Sequence, residues 1–199
     1  MFLSVLLTRN GASGREELEL LERARDGDRE AFGEIVSRYQ KRVFRVARRM
    51  CRNDDDAWDI TQEAFLRAMK AMGGFDTNYK FFTWIYRIVT NLAINMTEKR
   101  RRHGEVQFIE EYDGGGRQVV EDRAQEHAQT RQLAKAVERA AQELSPPLRA
   151  VFVLRVDQQL SYSEIAETLD IAMGTVMSRL NRARKAIRSA VSHLMGEEF

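Results

Sequence analysis

Ser178, Asn181 and Arg182 carry the most legible chemistry in this chain. They fall within Gly174-Thr-Val-Met-Ser-Arg-Leu-Asn-Arg-Ala-Arg184, a basic stretch with helical spacing. Arginine can bridge O6 and N7 of guanine, and asparagine can pair with adenine. Each good pair contributes roughly 1–3 kcal/mol to base discrimination. Val176, Leu180, Ala183 and Ile187 recur at helical spacing as one apolar stripe, which leaves Thr175, Met177, Ser178, Asn181, Arg182 and Lys185 toward the other side. Arg179, Arg184, Lys185 and Arg188 suit phosphate contacts, which position a reader without specifying sequence.

A second group of residues lies upstream. Asp54, Asp55, Asp56, Asp59 and Glu63, with Gln62 beside them, form an acidic run whose members share a helix flank at three- and four-residue spacing. Carboxylates can hold a hard cation, but no paired acidic cluster or second catalytic element accompanies them. A protein-docking edge is the favoured reading, and a solvated face is the plain one. A third group combines Asn78, Tyr79, Lys80, Arg87, Asn91 and Asn95 with the basic run Lys99, Arg100, Arg101 and Arg102. Aromatics stack on unpaired bases while cations follow the backbone. Phe81, Trp84, Ile85, Ile88 and Leu92 also match a buried stripe, so most of the aromatics belong to the core and the polar edge is left for nucleic acid.

Helices must position all three groups. Glu16–Asp26 reads as a short helix with Leu18, Leu21 and Ala24 inward, broken at Gly27. Asp28 caps the next, where Phe32, Ile35, Val36, Tyr39, Val43, Phe44, Ala47 and Met50 keep a helical period. A third helix runs from about Asp55 to Ala71, with Ile60, Ala64, Phe65, Ala68 and Met69 inward, and Gly73-Gly74 stops it. Phe75–Lys80 is a loop, and a long aromatic helix follows to about Lys99. A helix resumes near Gln125, Ser145-Pro-Pro147 starts another, and Tyr162–Leu169 precedes the basic helix from Gly174 to about Leu194. Ser161 or Ser163 caps the former. Ile171 plugs the turn between the two helices, and Gly174 permits its tight entrance. No strand pattern of useful length is present.

The resulting expectation is an all-α chain of two small helical domains joined by a flexible acidic linker, the second a helix-turn-helix. Its divisions are a tail at 1–15, a first domain at 16–102, a linker at 103–125 and a second domain at 126–199. The 199 residues suffice for two small cores, at 43% apolar and 31% charged content. The net charge of +2 conceals local asymmetry. Six bases and no acid occupy Arg38–Arg49, whereas Glu105–Glu126 holds seven acids against two bases. The lone Cys51 fits a reducing compartment and a buried thiol. No run approaches the 18 apolar residues of a membrane span.

In order and separation these motifs resemble the extracytoplasmic-function type of bacterial RNA polymerase sigma factor, within the sigma-70 family. The resemblance is carried by Asp28-Arg-Glu-Ala-Phe32, Ala57-Trp-Asp-Ile-Thr-Gln-Glu-Ala-Phe-Leu66 and Phe82-Thr-Trp-Ile-Tyr-Arg-Ile88 in the first half. Leu144-Ser-Pro-Pro-Leu-Arg149, Ser161-Tyr-Ser-Glu-Ile-Ala166 and Gly174–Arg184 carry it in the second. It implies that Asp56, Asp59, Gln62 and Glu63 dock on core RNA polymerase. It implies that Asn78, Tyr79, Lys80, Arg87, Asn91 and Asn95 engage the opened −10 element, with Lys99–Arg102 on the upstream backbone. Thr175, Met177, Ser178, Arg179, Asn181, Arg182 and Lys185 would then face the −35 element. It further implies a cytoplasmic, non-enzymatic protein without cofactor or metal. An anti-sigma factor, membrane-held or not, is an implied partner, with the chain a monomer or a heterodimer with that inhibitor. Trp58 departs from the acidic or small residue common beside the docking motif.

The second reading is a regulator that binds duplex DNA without joining polymerase. It needs the helix-turn-helix but gives no reason for the acidic edge or the aromatic helix. An enzyme is a weak third reading, since His103, His127 and His193 are scattered and Cys51 has no ligand or catalytic pattern beside it.

Overall fold

The computed structural model describes the backbone of residues 3–103 and 124–192, and the side chains of 14–100 and 131–192. Eight α-helices occupy these described residues: α1 Leu3–Arg25, α2 Arg29–Cys51, α3 Asp54–Ala71, α4 Phe81–His103, α5 Ala124–Glu143, α6 Pro146–Val156, α7 Tyr162–Leu169 and α8 Met173–Val191. Most of the acidic linker, and the C-terminal end from residue 193, lie outside the described residues.

Local chemistry sets the helix boundaries. Gly27 turns the chain at φ 99°, a value that glycine tolerates without Cβ strain. Asp28 then accepts from the backbone N–H groups of Glu30 at 2.9 Å and Ala31 at 3.1 Å, satisfying orphan donors of α2. Asn53 does the same for α3, accepting from the Asp56 N–H at 2.7 Å. Pro146 and Pro147 open α6, where a missing N–H costs no helix bond. Ser161 and Glu164 form a reciprocal capping box on α7.

The first four helices wrap a core of Ile35, Val43, Met50, Phe81, Ile85 and Val89, all essentially inaccessible. Tyr39 meets Phe81 edge-on at 5.0 Å, and Phe75 packs on both Phe81 and Trp84. Helices α6–α8 pack around Leu154, Ile165, Val176 and Leu180. These are not two separate cores: residues from α1–α4 and from α6–α8 belong to one continuous apolar cluster. A smaller cluster ties α5 to α8 through Leu144, Ala183 and Ile187.

Three side chains depart from the sequence reading. Leu18 and Met69 are exposed, with Leu20 buried instead of Leu18. Both periodic runs admitted either assignment, and packing against α2 selected one edge. The helix-turn-helix bend also differs. Asp170, not Gly174, takes the left-handed conformation at φ 54°. The Ile171 N–H then closes on the Ala166 carbonyl at 3.1 Å, a helix-terminating bond that satisfies an orphan acceptor. Gly174 lies in open space. Ile171 is half-buried against the core, as the sequence reading required.

Candidate nucleic-acid interface

On α8, Val176, Leu180, Ala183, Ile187 and Val191 are buried. Met177, Asn181, Arg182 and Lys185 stand exposed, with Thr175, Ser178 and Arg179 half-buried beside them. The Ser178 hydroxyl donates to the Thr175 carbonyl at 3.0 Å, which fixes its oxygen close to the helix surface. The geometry therefore brings the sequence-predicted base readers onto one open face. A helix-turn-helix presents its second helix to the major groove in this way.

On α4 the predicted strand-binding residues divide. Asn91 and Asn95 are exposed, as are Asn78, Tyr79 and Lys80 before the helix. Asp76 organises this loop by accepting from the Asn78 backbone N–H at 2.9 Å and its amide at 2.8 Å. A 440 Å³ cavity opens beside it, lined by Phe75, Tyr79, Thr83, Trp84 and Arg87, with Glu167 of α7 on its wall. Its apolar rings and few polar groups match the make-up of small-ligand pockets. Thr83 contributes a buried hydroxyl without a hydrogen-bond partner. Sequence reasoning missed Thr83, because a threonine inside an apolar helix carries no distinctive signal.

The acidic edge on α3 is partly internal. Asp59 and Gln62 are exposed and Glu63 is half-buried. Glu63 accepts from Arg67 at 2.7 Å, one helical turn away. Asp56 differs: it is only 7% exposed. Its carboxylate takes a two-pronged bond from Arg100 and a 2.6 Å bond from the Asn53 amide. Lys99 is exposed, whereas Arg100 is half-buried through this pairing. The side chains of Arg101 and Arg102 lie outside the described residues. Trp58 finds a partner in Phe44, with ring centroids 4.3 Å apart.

Charged contacts join the two halves. Lys80 donates to Glu164 at 2.6 Å, Arg87 to the Glu167 carbonyl at 2.6 Å, and the Tyr86 hydroxyl to Gln158 at 2.7 Å. Arg149 is almost fully buried and donates to the carbonyls of Met50 at 2.6 Å and Leu144 at 2.9 Å, and to that of Gln142. Burial lowers its pKa to about 10. The hydrogen bond from Lys80, then the backbone N–H of Ser161, hold the Glu164 carboxyl down at about 2. Burial raises the Cys51 thiol to about 12, which leaves it protonated and inert at neutral pH. Among the described residues no group of His, Cys, Asp and Glu is placed to hold a metal ion. None of the described helices is long and apolar enough to cross a membrane.

Among the described residues, an acidic edge on α3, an aromatic–basic loop and helix, and a helix-turn-helix with an exposed basic face share one helical frame. Residues 35–103 match the family model of Sigma-70 region 2, and residues 134–187 match that of Sigma-70, region 4. The chain is 33% identical over 187 residues to the RNA polymerase sigma-H factor of Pseudomonas aeruginosa, covering 92% of this chain and 97% of that protein. It is 35% identical over 179 residues to the ECF RNA polymerase sigma factor SigW of Bacillus subtilis, covering 87% and 96% respectively. The ECF RNA polymerase sigma-E factor of Escherichia coli is 35% identical over 181 residues, covering 88% and 94%. The fold is also that of CnrH, solved in complex with the cytosolic domain of CnrY, at a TM-score of 0.65 and 22% identity over 89% of this chain and 97% of that one. The sigma factor RpoE of Bartonella quintana, solved with the anti-sigma factor NepR, matches at 0.65 and 19% identity over 81% and 96%.

The chain belongs to the extracytoplasmic-function sigma factors of the sigma-70 family. It is a polymerase specificity subunit that binds core RNA polymerase and promoter DNA, and not itself an enzyme. The matches give the duplex-only regulator no support, because residues 35–103 match Sigma-70 region 2 alongside the region 4 match at 134–187.

Proposed function

We propose that this sigma factor divides its work among four surfaces on the helical frame. Asp59, Gln62 and Glu63 dock on core polymerase, with Asp56 holding the edge in place from inside. Asn78, Tyr79, Lys80, Arg87, Asn91 and Asn95 engage the separated non-template strand of the −10 element. Lys99, Arg101 and Arg102 follow the upstream backbone, while Arg100 stays with Asp56. Thr175, Met177, Ser178, Arg179, Asn181, Arg182 and Lys185 face the −35 element, with Asn181 and Arg182 as base readers. The working units are 16–102 and 126–199, and the segment between them spans the gap between promoter elements. Work of this kind takes place in the cytoplasm, beside core polymerase.

No covalent step belongs to this chain. Its contribution is binding energy: extruding a base costs a few kcal/mol, and stacking returns about 1–3 kcal/mol per base engaged. The cavity beside Tyr79 and Trp84 is preformed, so little of that return is lost to ordering the site. A cytosolic anti-sigma segment is the proposed regulatory partner, in keeping with the CnrH–CnrY and RpoE–NepR complexes.

The observation that carries this reading is the pairing of an exposed, stripe-backed α8 face with an aromatic cavity at the head of α4. Permanganate footprinting of holoenzyme on promoter DNA tests it. Reactive thymines confined to the −10 element support the reading, and their loss in R87A with duplex binding retained assigns opening to α4. Opening that is unchanged in R87A, N91A and N95A together contradicts the assignment.

A further inference from the structure

Trp58, the departure beside the docking motif, has no part in the surfaces assigned above. Its indole stacks on Phe44 with ring centroids 4.3 Å apart and planes inclined at 33°, which covers one face. The residue is nevertheless 42% exposed. Both rings line a cavity of 610 Å³ whose walls come from α2, α3 and α5. That volume lies within the range of small-molecule sites.

The polar groups around the rings fall into two sets. Arg48 is held by Asp54, and Arg49 by Glu138 and, at 3.3 Å, by Asp157. These charges are compensated within the chain. Lys41 and Arg45 line the same cavity one turn apart on α2; both are exposed, and neither forms a hydrogen bond or ion pair among the described residues. The cavity therefore carries surplus positive charge. Gln142 of α5 completes the wall and is only 6% exposed. Its backbone carbonyl is taken by Arg52 and Arg149, but its side-chain amide has no hydrogen-bond partner among the described residues. A carboxamide offers a donor and an acceptor side by side, the pattern that meets the edge of a purine.

We propose that this cavity binds a purine nucleoside polyphosphate. The base stacks on the open face of Trp58, the Gln142 amide pairs with its edge, and Lys41 and Arg45 take the phosphates. A bare anion would use the two cations and leave the ring and the amide idle. An apolar ligand would leave the cations unanswered. A nucleic-acid strand offers the same groups as a nucleotide, but a strand tracks along a groove with successive stacking platforms. Here Phe44 and Trp58 are the only rings on the cavity wall, already stacked on each other, with room for one base. The proposal is independent of the promoter contacts assigned above, which include none of Lys41, Arg45, Trp58 and Gln142.

Isothermal titration calorimetry of the free full-length chain with ATP and GTP reads the site, with CTP, adenosine and inorganic tripolyphosphate as comparisons. The purine triphosphates should bind about tenfold more tightly than tripolyphosphate or adenosine. W58L and K41A/R45A should each weaken them roughly tenfold, and Q142A should narrow the preference for ATP over CTP. Lys41 and Arg45 are exposed and unpaired, so K41A/R45A leaves folding intact and keeps the test valid if W58L lowers stability. Tripolyphosphate bound as tightly as ATP would reduce the site to a basic patch and overturn the proposal. Unchanged nucleotide affinity in both variants, or no binding at about millimolar nucleotide, would overturn it as well. If the free chain takes up no nucleotide and W58L instead weakens core polymerase binding, Trp58 belongs to the docking edge. Displacement of ATP by a scrambled single-stranded oligonucleotide of higher affinity would give the cavity to a strand and not to a nucleotide.

Discussion

The guanidinium of Arg100, near the end of α4, grips the buried carboxylate of Asp56 in the first turn of α3 with two parallel hydrogen bonds. A residue that sequence spacing placed on the acidic edge and one that the family resemblance placed on the upstream DNA backbone thus satisfy each other. Breaking a buried ion pair strands the surviving charge, at a cost of about 3 kcal/mol or more. D56A should lower unfolding stability by about that amount, as read from urea midpoints. R100A and the double variant should cost no more than D56A alone. Additive losses would show that the two residues act separately.

The outer docking residues behave oppositely. Asp59 and Gln62 are exposed, and surface substitutions away from special features stay within about ±0.5 kcal/mol. D59A and Q62A should therefore leave the melting temperature almost unchanged while weakening core polymerase binding roughly tenfold, a change of about 1.4 kcal/mol. Equal loss of stability and of binding would make this edge structural.

Arg149 joins the two halves through the Met50 carbonyl, and within its own half it donates to the carbonyls of Gln142 and Leu144. R149A leaves the Met50 and Leu144 carbonyls without the buried donor, at roughly 1–3 kcal/mol per unsatisfied group, while the Gln142 carbonyl still accepts from Arg52. We expect a loss of about 3 kcal/mol and separate melting of the two halves in calorimetry. A single transition of unchanged midpoint would contradict this.

Arg182 is the sharpest specificity test. R182A should weaken binding to matched −35 duplex by about 1–3 kcal/mol and relax preference at one base position. An equal loss on matched and scrambled duplex would reassign Arg182 to phosphate.

Acid should loosen the contact between Lys80 and Glu164. The Glu164 carboxyl is held at about 2 by the Lys80 bond and the Ser161 N–H, below its ordinary value of 4.5. A depressed acid contributes stability above its unfolded pKa and loses it as pH falls toward the folded one. The parent chain should therefore lose stability relative to E164Q between about pH 5 and pH 2. Parallel stability curves for the two proteins across that window would show that Glu164 makes no such contribution.

Helix positions and caps were legible because their causes are local. Asp28 caps as its side chain dictates, and the α8 stripe needed only its own period. Leu18 and Met69 were misplaced because each sits at the margin of an apolar stripe, where only the neighbouring helix decides. The segment from Asp170 to Gly174 reads as the turn, with its tightness at Gly174, yet Asp170 takes the left-handed conformation, because aspartate also enters that region at modest cost. On the site, the open residues of α8 were recoverable, and the engagement of Lys80 and Arg87 by α7 was not. A cation aimed at a phosphate and one aimed at a carboxylate 84 residues away have the same local sequence. Tertiary contacts of such separation leave no periodic trace.

Multi-round transcription with purified core polymerase and a randomised promoter library tests the central claim most directly. The account predicts initiation only when this chain is added, from start sites downstream of paired −10 and −35 sequences, with the preferred −35 bases shifting in N181A and R182A. A chain that binds duplex yet never associates with core polymerase, or that associates and leaves start-site choice unaltered, would contradict it.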